Sequence, residues 1–447
     1  MYLLLGLLQL PGDGDLYWQR WLGDLVLRSH ALPTALGPET FTSAGAMWVP
    51  QEWLFSVIVA LASHYNLFFL VTFALSATPL VILSLIYLRT RGGASAEAIG
   101  IVLLISGGAL LESFGVRAQV LGWLMLAVFM FFIERRDRWY YAAFPTTVLW
   151  ANLHASVALA PVIVLARLAA GLADGGHGAS RRSRDLIMLG ATILATFATP
   201  LGWRLPFYAV TLARSPIRHF IQEWQPPGLH DLSFMLGVLP LVLVILAAGP
   251  AFARRQLFSA APSALLLAAT LFAGRNIPLF VIVAAPLAAR AIDWRFPRVR
   301  NLEGRVRDLA PAAVVAITVG IVISAFALLA DERVSPPRLP IRAVASLAAD
   351  RRSHRVFCQD FTWCSLALQY GNLRVFMDGR CDPYPVPVWQ RYMATIYLKR
   401  PLSATLPGDA IDAIVAKRDT PFAVAVAKQP NWKQAFEDRS FVVYRRE

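Results

Sequence analysis

Residues 139–173 read WYYAAFPTTVLWANLHASVALAPVIVLARLAAGLA. About 20 apolar residues cross a bilayer, so this stretch exceeds one span. Asn152 and His154 interrupt it near its middle. Polar side chains inside hydrocarbon cost free energy unless they are satisfied. The stretch is therefore split into two short spans, 139–151 and 155–173, that meet at one membrane face. Arg135, Arg136 and Arg138 precede the pair, and Arg181, Arg182 and Arg184 follow it. Two spans return the chain to the face it left, which puts both basic clusters on the same side, as the positive-inside rule requires.

The same parity extends outward. Further apolar runs lie near 66–88, 97–112, 118–134, 186–203, 234–252, 257–274, 276–292 and 309–330. Arg89 and Arg91 follow one run, and Arg254 and Arg255 separate two others. Arg290, Arg295, Arg298, Arg300, Arg305 and Arg307 crowd the last connection. With one more span at the N-terminus, every basic connection is cytoplasmic and the C-terminal segment lies outside. Residues 1–10 are apolar but short for a core of ~30 Å at ~1.5 Å per residue. They are expected to be part of a first span or a partly inserted segment. A cleaved signal peptide is disfavoured, because neither a basic n-region nor a small-residue cleavage site is present.

Composition supports the membrane assignment. Hydrophobic residues make up 57% of the 447 positions and charged residues 16%, against about 25% charged in soluble proteins. A cytosolic enzyme, a disordered chain and a small disulfide scaffold are excluded. The net charge of +14 reports topology, because the arginines occupy short connections. It does not imply a nucleic-acid partner.

The expected architecture is a polytopic α-helical membrane protein of about 10–11 spans. It comprises a transmembrane domain, 1–330, with outer loops 11–52 and 203–233, and a small α/β domain, 331–447. The first loop is acidic, with Asp13, Asp15, Asp24, Glu39 and Glu52; the second holds Glu223 and Trp224. The apolar pattern of 204–213 reads as a helix lying in the interface. Pro336, Pro337 and Pro340 mark a linker. Beyond it, strands near Arg355–Phe357, Leu373–Met377, Ile411–Val415 and Phe441–Tyr444 are spaced by helices at Trp363–Tyr370 and Val386–Leu398. That spacing implies parallel pairing. Cys358, Cys364 and Cys381 all fall in this domain. They read either as buried thiols or as one disulfide plus a free thiol, with the pairing open.

The residues able to do chemistry collect on the outer face. Asp13 and Asp15 follow the first apolar segment beside Tyr17 and Trp18. A carboxylate there can hold a divalent cation or take a proton from an acceptor hydroxyl. Glu52 is either a third such acid or a helix N-terminal carboxylate. Arg117 offers a fork for phosphate or pairs with Glu112. Asn152 and His154 either line a ligand site or close interhelical hydrogen bonds. Arg275 and Glu223 share the outer face. Asp378-Gly379-Arg380 ends a strand, where open α/β sheets place their sites, or forms a structural pair at a turn. A Walker loop, a GxSxG elbow and an HExxH helix are absent from the sequence. So is the line of intramembrane acids expected of a proton-driven transporter.

These residues resemble the GT-C superfamily of membrane glycosyltransferases. Asp15-Leu16-Tyr17-Trp18, followed by Arg20 and by Leu32-Pro33, is similar to the first loop of oligosaccharyltransferase catalytic subunits. Trp48 to Leu54, Trp150 to His154 and Asp378 to Arg380 are similar to motifs of a large group of bacterial multi-span proteins, in the same order along nearly the whole chain. Three departures stand out: the W-W-D motif of oligosaccharyltransferases is absent from the C-terminal domain, Gln19 stands where many relatives have His, and the first span is short. The resemblance implies a bacterial inner-membrane enzyme that uses a polyprenyl-phosphate-linked sugar. It implies Asp15 or Asp13 as catalytic carboxylate, and Mg or Mn at Asp13, Asp15 and Glu52. It implies substrate contacts from Arg117, Glu112, Glu52, Asn152, His154, Arg275, Glu223, Asp378 and Arg380. The alternatives are a non-catalytic lipid-binding or assembly protein of envelope polysaccharide export, and a transporter.

Overall fold

The computed structural model describes residues 14–112, 117–173, 179–297, 339–350, 352–406 and 411–447. The expected N-terminal segment 1–10, Asp13 and the last span at 309–330 lie outside these residues. The described chain forms two compact units, a helical unit from 73–213 and 221–297 and a sheet unit from 14–72, 214–220 and 339–447.

The sheet unit begins with α1 (Asp15–Ser29) and α2 (Trp53–His64), which pack against each other. Its sheet has the order β2-β1-β3-β5-β4, with β1 His354–Cys358, β2 Leu373–Val375, β3 Ala413–Lys417, β4 Trp432–Glu437 and β5 Phe441–Arg446. β1 runs parallel to β2 and β3, as the strand–helix–strand spacing implies; β5 runs antiparallel to β3 and β4. The expected helix between β1 and β2 is a 3-10 helix, Phe361–Gln369. Cys358 at the end of β1 is disulfide-bonded to Cys364 of that turn, and Cys381 is a free thiol. Loop residues 39–41 extend the sheet at β2. The Phe41 N–H donates to the Val375 carbonyl at 3.2 Å, and the Val375 N–H donates to the Glu39 carbonyl at 2.8 Å. The core is aromatic, with Phe357 against Phe376, Tyr392 and Phe422 at centroid distances of 5.2, 5.6 and 5.9 Å. Phe220 joins this unit by stacking on Trp389.

The helical unit contains α3 (Phe68–Thr90), α4 (Ala96–Glu112), α5 (Ala118–Ile133), α6 (Ala143–Leu153), α7 (Leu159–Ala173), α8 (Ala179–Ala195), α9 (Arg204–Arg214), α10 (Leu239–Arg255), α11 (Leu257–Phe272) and α12 (Ile277–Arg295). Four helical stretches, 73–90, 155–173, 234–255 and 274–295, are long and apolar enough to cross a membrane, and shorter apolar helices cover 96–110, 118–133 and 257–272. The apolar stretch 139–173 does divide at His154, into α6 and α7 with a short turn between them. A helix that is apolar all round belongs inside a bundle. α12 is that helix, buried along nearly its whole length and packed on α4, α5, α10 and α11.

Pro286 within α12 has no N–H to donate to the Ile282 carbonyl one turn earlier. Arg89 fills the gap: its Nη1 donates to that carbonyl at 2.7 Å, while its Nε and Nη2 grip Glu134 at 2.9 and 2.8 Å. This exchange satisfies a backbone group, and the buried guanidinium is paired with a half-buried carboxylate. Further contacts put the basic connections at one end of the unit. Arg184 reaches the carbonyls of Arg135 and Arg136, Asp293 accepts from Ser95, Arg290 donates to Ser259, and Arg255 lies over Trp294.

Candidate functional site

In the sheet unit, the first-loop carboxylate sits on the C-terminal turn. Asp15 opens α1, where the helix N-terminus favours negative charge. Trp18 Nε1, one turn on, donates to its Oδ1 at 3.3 Å. The same Oδ1 lies directly over Gly379, so close that a Cβ there would collide with it.

Gln19 follows, 2% exposed. Its amide Nε2 donates to the Glu52 carboxylate, and its Oε1 accepts from the Ser56 hydroxyl. Gln51 Nε2 donates to Glu52 Oε1 at 2.7 Å. Glu52 is therefore the residue at the N-cap of α2 without capping it by its side chain; the carboxylate turns to the two amides instead. Gln19 thus ties the N-terminal halves of α1 and α2, which carry Asp15 and Glu52. Its sequence signal was faint, a glutamine at a position where related loops have histidine.

Asp378 and Arg380, expected as substrate contacts, are fully buried and turned inward. Arg380 Nε and Nη2 donate to the two Asp378 oxygens at 2.9 and 2.6 Å, and Nη1 donates to Glu39 at 2.8 Å. Its guanidinium lies 5.0 Å from the ring of Trp21 and 4.9 Å from that of Trp48. Tyr384 donates its hydroxyl to Asp378 at 2.7 Å. Burial works against the Arg380 charge, but Asp378 outweighs it and holds the guanidinium well above its ordinary range. Burial and the same carboxylate push the Tyr384 phenol well above its usual value. The pair, through Glu39, anchors the loop between α1 and α2 to the sheet.

In the helical unit, the end opposite the basic connections gathers the remaining candidates. Arg117, at the N-cap of α5, pairs with Glu223 at 3.7 Å. Both side chains are about two-fifths exposed, 41% and 42%, so the pair contributes little to stability. Glu223 is thus a described partner of Arg117; the expected pairing with Glu112 lies outside the described residues, as do the Glu112 side chain and residues 113–116. Arg275 packs its guanidinium over Trp224 at 5.1 Å, and its carbonyl accepts from Gln119 at 3.5 Å. The Gly274 N–H donates to the Gln225 carbonyl at 2.9 Å, closing the loop around Trp224. Asn152 donates to the carbonyls of Val148 and Ala198, both at 2.8 Å, so its amide joins two segments.

His154 sits at the turn after α6. The Ser156 N–H donates to its Nδ1 at 3.1 Å, and the Ser156 hydroxyl, which accepts from Trp150 Nε1 at 3.0 Å, lies 2.8 Å from the same nitrogen. Nδ1 is therefore the acceptor and the ring proton resides on Nε2. Burial, reinforced by the charge of Arg275, lowers the pKa of His154 to about 3. The ring is a neutral donor at physiological pH.

Neither the family models nor the curated proteins contain a match to this chain. Solved structures do. The archaeal oligosaccharyltransferase AglB from Archaeoglobus fulgidus, in complex with an inhibitory peptide and a dolichol-phosphate, matches with a TM-score of 0.60 and 11% identity, over 98% of this chain and 70% of that one. ArnT from Cupriavidus metallidurans, bound to undecaprenyl phosphate, matches with a TM-score of 0.52 and 15% identity, over 99% and 96%. Both are GT-C glycosyltransferases. At these identities the likeness establishes the fold. The chain is a polytopic α-helical membrane protein with a GT-C-like fold and a small C-terminal α/β domain.

Proposed function

We propose that this protein transfers a sugar from a polyprenyl-phosphate donor to an acceptor hydroxyl on the extracytoplasmic side of a bacterial inner membrane. The observation that carries the reading is fold agreement over 98–99% of the chain with two glycosyltransferases whose structures contain polyprenyl-type phosphates. Arg117 and Arg275 supply the positive charge for the donor phosphate. Glu223 holds Arg117 by a loose, solvent-exposed pair that leaves the guanidinium able to turn to the donor's phosphodiester anion and then to the more highly charged phosphate as it departs. Trp224 orients Arg275. Asp15 acts as base. The acceptor oxygen attacks the anomeric carbon, the bond from that carbon to the phosphate oxygen breaks, and the polyprenyl phosphate leaves with the electron pair. The acceptor proton passes to Asp15. Charge stabilisation of the departing phosphate supplies most of the rate.

A divalent cation at Asp13, Asp15 and Glu52 would need converging oxygen ligands. Among the described residues no group of three His, Cys, Asp or Glu side chains converges, and Glu52 accepts from two amides. Asp13 lies outside those residues.

Binding of undecaprenyl phosphate by the purified protein in vesicles tests the phosphate assignment. Charge-assisted hydrogen bonds contribute about 1.5–3 kcal/mol, so Arg275→Ala and Arg117→Ala should each weaken binding by roughly 10- to 100-fold. Unchanged binding in both variants would remove these arginines from the donor site. Tight binding without transfer from any sugar-charged lipid would favour the non-catalytic lipid-binding role.

A further inference from the structure

We infer that Gly379 is a positioning residue for the Asp15 carboxylate, which makes the C-terminal α/β domain part of the reacting apparatus; this rests on Asp15 acting as proposed above. The distance in sequence is 364 residues, yet the two positions touch through Asp15 Oδ1. Gly379 does not occupy the left-handed region, so any residue could take its backbone conformation. The requirement is for space. A Cβ at 379 would strike Asp15 Oδ1, and would also press at 3.0 Å on Ser365 Oγ and on Trp18 Cδ1. Ser365, itself fully buried, accepts the Gly379 N–H at 3.1 Å and fixes the turn.

The neighbouring contacts point the same way. Gly14, the residue before Asp15, lies against the Thr362 carbonyl with no room for a side chain. Gln369 Nε2 donates to the Tyr17 carbonyl at 2.8 Å. The first turn of α1 is thus seated on the 3-10 helix and the Asp378–Arg380 turn, with a glycine at each point of closest approach. Trp18 holds the carboxylate from its own helix, and Gly379 bounds it from the sheet domain. Moving a reacting group by about 1 Å costs on the order of 10²-fold in rate, so a methyl group at 379 should act on turnover and not on donor affinity.

The experiment uses the full-length protein in vesicles with a polyprenyl-phosphate sugar. Gly379→Ala should lower kcat by about 10- to 100-fold while the KM for the donor stays within about twofold. Thermal unfolding of Gly379→Ala is measured in the wild-type and Asp15→Ala backgrounds. The methyl group should destabilise the wild-type background more, because Asp15→Ala removes the collision. If Gly379→Ala does not accumulate, Ser365→Ala, which frees the Gly379 N–H without adding bulk, should give a several-fold kcat loss at unchanged KM. Normal kcat in Gly379→Ala would overturn the inference, as would equal destabilisation in both backgrounds or a normal kcat in Ser365→Ala. Full activity of Asp15→Asn would instead bring down the catalytic assignment of Asp15 itself, an outcome distinguishable from inert Gly379→Ala beside an inactive Asp15→Asn.

Discussion

Gln19 shows what a single side chain does here that composition does not reveal. Buried between two helices, it satisfies Glu52 with its amide nitrogen and Ser56 with its oxygen. Gln19→Leu keeps the approximate volume and removes both bonds. An unsatisfied buried polar group costs about 1–3 kcal/mol, and the unfolding midpoint of the purified protein should fall accordingly; unaltered melting would show that Glu52 and Ser56 are held some other way. Asp15 was legible as a candidate because it follows an apolar run beside aromatics, and Glu52 because it stands in the Trp48–Leu54 segment before an amphipathic stretch. Asp378 and Arg380 were legible as a motif, but their inward orientation was not. That depends on Glu39, Trp21 and Trp48, brought to the turn only by tertiary folding.

At the scale of elements, period and punctuation located β1, β2, β3 and β5 and the helix α13 (Val386–Ile396). They did not disclose β4, whose exposed residues Lys433 and Gln434 lack a strict apolar alternation and whose pairing with β5 is broken by a bulge. Nor did they show residues 39–41 joining β2, because a three-residue segment carries no period. The disulfide was open at the level of sequence for the same reason: Cys358, Cys364 and Cys381 all lie near the same turn, and only geometry selects the pair. The sheet core carries a pH signature. Burial, with a nearby acid in each case, raises the phenols of Tyr384 and Tyr392 well above their usual range. Unfolded tyrosine ionises near pH 10, so above that pH the unfolded chain binds fewer protons than the folded one. Stability is fully present below pH ~10 and is lost as the pH rises past it. The near-ultraviolet dichroism of the domain should therefore melt at progressively lower temperature from pH 9 to pH 11, and a constant midpoint would refute the buried phenols.

For the whole molecule, charge parity was the most informative property of the sequence. Each basic connection was assigned to one face from arginine placement, and among the described residues contacts such as Arg89 to Glu134, Asp293 to Ser95 and Arg255 to Trp294 bring basic connections together at one end of the helical unit. A reporter fused after Glu447 should accordingly behave as periplasmic; cytoplasmic behaviour would reverse the proposed orientation. The GT-C-like fold was legible from the order of short motifs, whereas the reaction rests on a few side chains. Asp15 and Asp24 separate those roles within one helix. Asp24 lies 3.1 Å from His64 and 3.9 Å from Arg20, a local ion-pair arrangement with no part in the proposed step. The decisive measurement is transfer from a polyprenyl-phosphate sugar by Asp15→Asn and Asp24→Asn at matched membrane abundance. Loss of a general base lowers the rate by about 10²- to 10⁴-fold, so Asp15→Asn should fall by that factor while Asp24→Asn stays close to wild type; wild-type transfer by Asp15→Asn would contradict the catalytic role.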